Sequence, residues 1–129
     1  MTDGWWLRCV CVAAAGAVGA LTRWGVMRGM QSAGTDIWWG TLAVNAIGCL
    51  IFGLVHQLFR EELAQHSLWR LIWLTGFCGA LTTFSSFAFD LWTLNTTRGT
   101  LQAASYCAAQ LFIGLAALLV GMALGRWLV

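Results

Sequence analysis

The stretch Gly76-Phe-Cys-Gly-Ala-Leu-Thr-Thr-Phe-Ser-Ser-Phe87 lies in the middle of a strongly apolar part of the chain. Two glycines, four hydroxyl side chains and three phenylalanines fall within these twelve residues. A lipid bilayer tolerates broken backbone or clustered hydroxyls only where they line a cavity or bind something. The stretch therefore predicts a conduction or binding site within a membrane-spanning helix, rather than a plain membrane anchor.

The composition around this stretch predicts a membrane protein. Of 129 residues, 60% are hydrophobic and 9% are charged, whereas soluble domains carry about 25% charged residues. The length predicts one domain over residues 1–129. The formal net charge of +2 provides too little basic surface for nucleic-acid binding.

Hydropathy divides the chain into four apolar segments of about the 20 residues that a helix needs to cross the hydrocarbon core. They cover residues 5–26, 37–59, 68–94 and 101–129. Tryptophans cluster near their ends, as in the aromatic belts at membrane interfaces. The polar connections are too short for a catalytic domain. The sequence thus predicts an all-α membrane protein that is not an enzyme and whose function lies within the membrane.

The arginines are almost evenly divided between the two sides of the membrane. Four spans place both termini on one side, which holds Arg8, Arg60, Arg70 and Arg126, against Arg23, Arg28 and Arg98 on the other. Because an excess of positive charge normally fixes the cytoplasmic side, this balance predicts insertion in both orientations and an antiparallel homodimer. A fixed topology remains the alternative.

Two polar positions inside the spans point to a path or to helix packing. Asn45 lies well inside the second span, where an unpaired amide costs several kcal/mol. It either joins neighbouring helices or donates an N–H to a passing anion, and the residue alone leaves both open. In the fourth span, Tyr106, Gln110 and Gly114 recur every four residues and share one helix face. That face either extends a polar track or serves packing.

The opening stretch adds an aromatic pair. Phe84 and Phe87 are three residues apart and face one side of a helix, and ring edges carry partial positive charge that attracts anions. Plain packing is the competing interpretation. At the end of the first span, Arg23 either reaches to the lipid headgroups or concentrates anions in a vestibule. Asp90 is expected at the interface, so no span carries a carboxylate at mid-depth. That argues against a proton-coupled exporter.

Three motifs together resemble the fluoride channel family known as CrcB or Fluc. They are Gly16-x-x-Gly-Ala-x-x-Arg23, Gly40-Thr-Leu-x-Val-Asn45-x-x-Gly48 and the opening stretch Gly76–Phe87. The first and third share Gly-x-x-Gly-Ala-Leu-Thr, an internal echo of the kind seen in transporters. The resemblance covers nearly the whole chain in length, span count and motif order.

The resemblance implies an antiparallel, dual-topology homodimer of four-helix subunits with a broken third helix and two pores. It assigns the fluoride path to Arg23, Asn45, Thr83, Phe84, Ser86, Phe87 and Tyr106. It also implies a structural sodium ion at the dimer interface, bound by the backbone carbonyls of Gly79 and Thr82. Ala80 and Ser86 depart from the commoner Gly and Thr. Gln110 and Gly114 stand where some relatives have serines, so their place on the polar track is in doubt.

We therefore expect a passive fluoride channel, multi-pass in the cytoplasmic (inner) membrane and in contact with lipid. A small proton-coupled exporter of similar architecture is the alternative. A third possibility is a non-transporting assembly subunit.

Overall fold

The computed structural model describes residues 4–60 and 68–128, and the secondary structure in these two ranges is helical. Four helical segments are long and apolar enough to cross a membrane: Trp5–Ser32, Ile37–Leu58, Leu68–Arg98 and Thr100–Leu128. The predicted all-α, four-span architecture is confirmed, and the chain is a multi-pass membrane protein. Of the predicted connection over residues 60–67, residues 61–67 lie outside the described residues, as does Val129.

Two helices run further than hydropathy predicted. The first helix, α1 (Trp5–Ser32), continues six residues beyond Val26, and the third span continues from Leu94 to Arg98. Polar residues end the apolar pattern, but the backbone keeps its helical hydrogen bonds outside the hydrocarbon core. A helix of 28 residues spans about 42 Å, which exceeds the core of about 30 Å. Only Gly99, with φ +95°, separates the third span from the fourth.

The third span contains an irregular first half and a break. Helix α3 (Leu68–Arg70) leads into a π-helix, Leu71–Cys78, followed by α4 (Gly79–Leu81). Thr82 and Thr83 then adopt extended conformations, with ψ of 155° and 116°. Helix α5 (Phe84–Arg98) forms the second half. The break in the third helix, which the family resemblance implied, therefore falls inside the stretch Gly76–Phe87.

Glycines set the closest contacts between spans. In α2 (Ile37–Leu58) and α6 (Thr100–Leu128), a Cβ on Gly53 would come within 2.2 Å of the Leu118 carbonyl oxygen, and one on Gly121 within 2.1 Å of the Leu50 carbonyl oxygen. These helices pack backbone to backbone, as small residues allow in membranes.

The two sequence motifs that echo each other also contact each other. A Cβ on Gly19 in α1 would lie 2.3 Å from the Phe77 carbonyl oxygen, and one on Gly76 would lie 2.7 Å from Ala15 Cβ. The first helix therefore packs directly against the irregular half of the third span. That contact positions the break beside α1 on one side and α2 on the other.

Candidate functional site

The Asn45 side chain fills the gap in hydrogen bonding at the break in the third span. The Thr83 N–H donates to Asn45 Oδ1 at 2.8 Å, and Asn45 Nδ2 donates to the Thr83 carbonyl oxygen at 3.3 Å. A backbone break in hydrocarbon needs such partners, because each unsatisfied N–H or C=O costs several kcal/mol. One amide side chain thus replaces the helical partners that Thr83 lacks.

Thr83 also starts the helix that follows the break. It is the N-cap of α5, and its Oγ1 accepts from the Ser86 N–H at 3.2 Å. The same hydroxyl donates to Ser86 Oγ at 3.1 Å and lies 3.2 Å from Ser85 Oγ. Hydroxyl residues are preferred at this position because they satisfy orphan N–H groups of the first turn. Ser86 therefore lies directly beside Thr83.

A groove of about 300 Å³ runs along the break. Its lining includes seven residues that the sequence analysis singled out and two that it did not: Asn45, Thr82, Thr83, Phe84, Phe87, Gln110 and Gly114 lie there with Cys49 and Leu111. The groove combines amide and hydroxyl groups with aromatic rings. No carboxylate is among the residues that line it, so it suits an anion that must exchange water for protein donors.

The aromatic rings form a connected group beside this groove. Phe84 and Phe87 meet edge to face, with centroids 5.7 Å apart, and Phe87 meets Tyr106 at 5.8 Å. Phe84 is 79% exposed, so the groove is open on that side of the protomer. The two rings predicted to line a path are therefore neighbours, and one of them projects outward.

A chain of hydrogen bonds leads from Asn45 into the interior. Asn45 Nδ2 donates to Gln110 Oε1 at 3.2 Å, and Gln110 Nε2 donates to the Tyr106 hydroxyl at 2.9 Å. The Tyr106 hydroxyl lies 3.3 Å from Asp90 Oδ2 and 3.4 Å from the Trp38 carbonyl oxygen, so it has two acceptors in reach. Gln110, whose role the sequence left in doubt, is the link between Asn45 and Tyr106.

Arg23 reaches the break from the first helix. Its Nη1 donates to the Thr82 carbonyl oxygen at 3.4 Å, and its side chain is half-buried. A separate recess of about 280 Å³ is lined by Arg23, Trp24, Arg28 and neighbouring residues of α1. Arg23 therefore lies between this basic recess and the broken backbone.

The break leaves backbone carbonyls without their helical donors, among them that of Gly79. In a continuous helix the Gly79 carbonyl would accept from the Thr83 N–H, but that N–H donates to Asn45 instead. Gly79 is exposed on the protomer, and Thr82 is half-buried. Within the described residues, no cluster of His, Cys, Asp or Glu could hold a metal ion. The Gly79 and Thr82 carbonyls, which the resemblance assigns to a sodium ion, therefore lie at this break.

Asp90 is buried between helices. It is 3% exposed and bonded to Tyr106, and its position at the membrane interface stays a prediction. Phe87 and Leu94 share its helix face at three and four residues' distance, and that apolar spacing is the signal for burial. Thr41 is a further residue that sequence reasoning missed. Its Oγ1 is fully buried and has no hydrogen-bond partner among the described residues.

Comparison with known proteins identifies the family. The family model described as "CrcB-like protein, Camphor Resistance (CrcB)" matches residues 10–122. A protein of Nitratidesulfovibrio vulgaris is 40% identical over 120 residues, which cover 92% of this chain and 97% of that protein. One of Maridesulfovibrio salexigens is 42% identical over 121 residues, or 92% and 94% of the two chains. One of Agrobacterium fabrum is 42% identical over 117 residues, or 89% and 93%.

All three relatives are named "Fluoride-specific ion channel FluC". The resemblance carried by the three sequence motifs is thereby confirmed. Because the family model and these relatives both match the chain along most of its length, the chain belongs to the CrcB family.

Proposed function

We propose that this chain is a fluoride channel that lets fluoride leave the cell passively across the cytoplasmic (inner) membrane. The observation that carries the proposal is the groove at the break, where Asn45 and Thr83 adjoin the rings of Phe84 and Phe87. The name of the relatives supports the same ion. The family contains channels under that name, so the proposed protein is a transporter and not an enzyme.

The groove would replace the hydration shell of fluoride with several donors at once. The amide of Asn45 would supply a hydrogen bond from the groove wall, with the Ser86 hydroxyl beside it, and ring edges add weak positive charge without a fixed cation. Tyr106, whose proton points to Asp90 or Trp38, would support the path through Gln110. Arg23 would raise the local anion concentration at the mouth. Fluoride that enters cells as its neutral acid and ionises inside would leave down its gradient along this path.

We further propose an antiparallel homodimer, because one protomer encloses only part of the path. Phe84 projects from the open side of the groove with 79% of its surface exposed. The near balance of arginines between the two sides supports opposite insertion of two copies. A second copy would close the groove with its own helices.

A structural sodium ion at the dimer interface fits the oxygen atoms at the break. The Gly79 carbonyl has lost its helical donor to Asn45. The Thr82 carbonyl accepts one long bond from Arg23 and retains a second lone pair. Two copies would offer such oxygens in pairs, which are the ligands that a hard cation prefers. The ion would contribute a positive charge that joins the two protomers.

Transport from liposomes tests the main proposal. Purified protein is reconstituted, loaded with fluoride or chloride, and efflux is followed with ion-selective electrodes, with protein-free liposomes as the control. We expect fluoride efflux far faster than chloride efflux and no requirement for a pH gradient. Absence of flux for either ion would indicate a non-transporting subunit, and equal flux of both would contradict fluoride selectivity.

Removal of sodium tests the cation. Exhaustive exchange into a medium with N-methylglucamine as the only cation should reduce both the dimer fraction, measured by cross-linking, and the fluoride efflux. Readdition of sodium should restore both. Unchanged dimers and efflux in the sodium-free medium would contradict the site at Gly79 and Thr82.

One observation favours the second candidate, a proton-coupled exporter. Asp90 is a buried carboxylate within the third span and is bonded to Tyr106, and such residues serve proton relays in transporters. The two candidates differ in their response to a proton gradient. An exporter would accumulate or expel fluoride against its gradient when a pH gradient is imposed, and a channel would not.

A further inference from the structure

The hydrogen bonds between the break and Asp90 all run in one direction. The Thr83 N–H donates to Asn45, Asn45 donates to Gln110, and Gln110 donates to Tyr106, over 2.8, 3.2 and 2.9 Å. The Tyr106 hydroxyl then donates to Asp90 or to the Trp38 carbonyl. A directed series thus leads from the Thr83 N–H through Asn45, Gln110 and Tyr106 to an acceptor. Asn45 Nδ2 also makes one bond back to the Thr83 carbonyl.

The chemistry of the two ends fixes this direction. A backbone N–H is only a donor, so the Asn45 oxygen must face Thr83. At the other end, the Trp38 peptide carbonyl is only an acceptor, so the Tyr106 proton points to the side of Trp38 and Asp90 and not toward Gln110. The Tyr106 oxygen is then left to accept from Gln110 Nε2, which turns Gln110 Oε1 toward Asn45. Neither amide can flip without placing two donors or two acceptors face to face.

We propose that Gln110 is a positioning residue for the anion path: it holds one N–H of Asn45 and leaves the other N–H to the groove. The second N–H makes the longer bond, 3.3 Å to the Thr83 carbonyl. An anion in the groove competes with that carbonyl for one donor, while Gln110 keeps the amide from rotating. This inference rests on the proposed anion path. In it, Gln110 orients the Asn45 side chain and does not contact the ion.

Substitution of Gln110 by methionine tests the inference, because Gln110→Met keeps the length of the side chain and removes both polar atoms. We expect fluoride efflux to fall about tenfold, the effect of losing one hydrogen bond together with its orientation. Gln102→Met is the matched control, since Gln102 is exposed on the same helix and does not line the groove. Wild-type efflux from Gln110→Met would overturn the proposal.

A spectroscopic measurement separates positioning from a general loss of stability. The chain contains two asparagines, Asn45 and Asn95, so asparagine labelled with ¹⁵N gives two side-chain amide signals in bilayers. In Gln110→Met without any anion, the Asn45 signal should move toward that of exposed Asn95. In Gln102→Met it should stay in place. An Asn45 signal that stays in place in Gln110→Met would also overturn the proposal.

Tyr106→Phe provides a second variant if Gln110→Met does not fold. It removes the hydroxyl that accepts from Gln110 and leaves Asn45 and its own contacts untouched. The directional series predicts a shift of the Asn45 signal from this remote change, and an unmoved signal contradicts it. Because the spectra need no ion flux, they decide the inference even where wild-type liposomes pass no fluoride, a result that would contradict the proposed function alone.

Discussion

At the scale of single residues, Asn45 combines two tasks that its sequence position left as alternatives. Its amide supplies a donor and an acceptor to the backbone of Thr83. A neighbouring β-strand supplies the same two groups to a residue at the edge of a sheet. The same amide lines the groove. Helix packing and anion binding are therefore compatible at this residue, because the bond that an anion would displace is the longest of the three.

Asn45→Asp should abolish fluoride efflux, with a loss of at least about a hundredfold. An ionised carboxylate has no N–H to donate, so it faces the Thr83 carbonyl and Gln110 Oε1 with lone pairs, and its charge repels an anion in the groove. The measurement is electrode-recorded efflux from liposomes. Asn95→Asp, at an exposed position near the end of α5, is the control. Normal efflux from Asn45→Asp would contradict the assignment of Asn45.

At the scale of helices and their contacts, backbone proximity between α2 and α6 supports the groove. Asn45 and Gln110 can meet only where these two helices approach closely, and glycines permit that approach further along both of them. The contact between Gly121 and the Leu50 carbonyl is an example. Stability and the site therefore depend on the same helix pair.

Gly121→Ala should lower the free energy of unfolding by about 2 kcal/mol, the usual cost of forcing an extra methyl group into a packed contact. The added Cβ would meet the Leu50 carbonyl oxygen at 2.1 Å, and backbone cannot move aside as a side chain does. Thermal unfolding in detergent measures the change. Gly25→Ala is the control, because nothing lies within 4 Å of its Cβ. Equal midpoints for the two variants would contradict tight packing at Gly121.

The helices show which structural features the sequence could predict and which it could not. The four spans follow from hydropathy, and the family resemblance carried by Gly76–Phe87 implied the break in the third span. The π-helix Leu71–Cys78 could not be predicted, because its residues are apolar apart from Thr75 and carry no periodic pattern. The sequence also could not predict that Asn45 bonds to Thr83, because Thr83 lies 38 residues away and only the fold brings the two together.

The contacts of Asp90 and Gln110 in the site also depend on how the fold brings helices together. Both have polar side chains bonded to Tyr106, a residue on a different helix from Asp90. The sequence placed Tyr106 and Gln110 on one helix face, which the bond between them bears out. It could not place Asp90 against that face, because two spans that are adjacent in sequence can meet at any rotation.

At the scale of the whole molecule, the distribution of charge bears on how many orientations the chain adopts. Four arginines lie on the side of the termini and three on the other. Neither side therefore has the excess that normally fixes topology. An antiparallel pair needs both orientations in comparable amounts, so this balance would itself be a condition of assembly.

Arg28→Gln should shift the chain toward a single orientation, because it leaves four arginines against two. Arg28 is exposed, so its removal should not disturb packing. Reporter domains fused to the C-terminus, one active only inside the cell and one only outside, measure the two orientations. Arg28→Lys keeps the charge and should match the wild type, with both reporters active. A wild-type chain that activates one reporter alone would contradict dual topology.

The bond between Asn45 and Thr83 also has a consequence for the order in which the protein is made. Ribosomes synthesise the second span before the third, so the Asn45 amide is already in the membrane when the broken segment emerges. The N–H and C=O groups of Thr83 can then bond to Asn45 as soon as the third span enters the membrane. They are not left without hydrogen-bond partners in lipid. A chain rearranged so that the third span is translated first would lack that partner during insertion, and the broken segment would be retained outside the bilayer until the second span appeared.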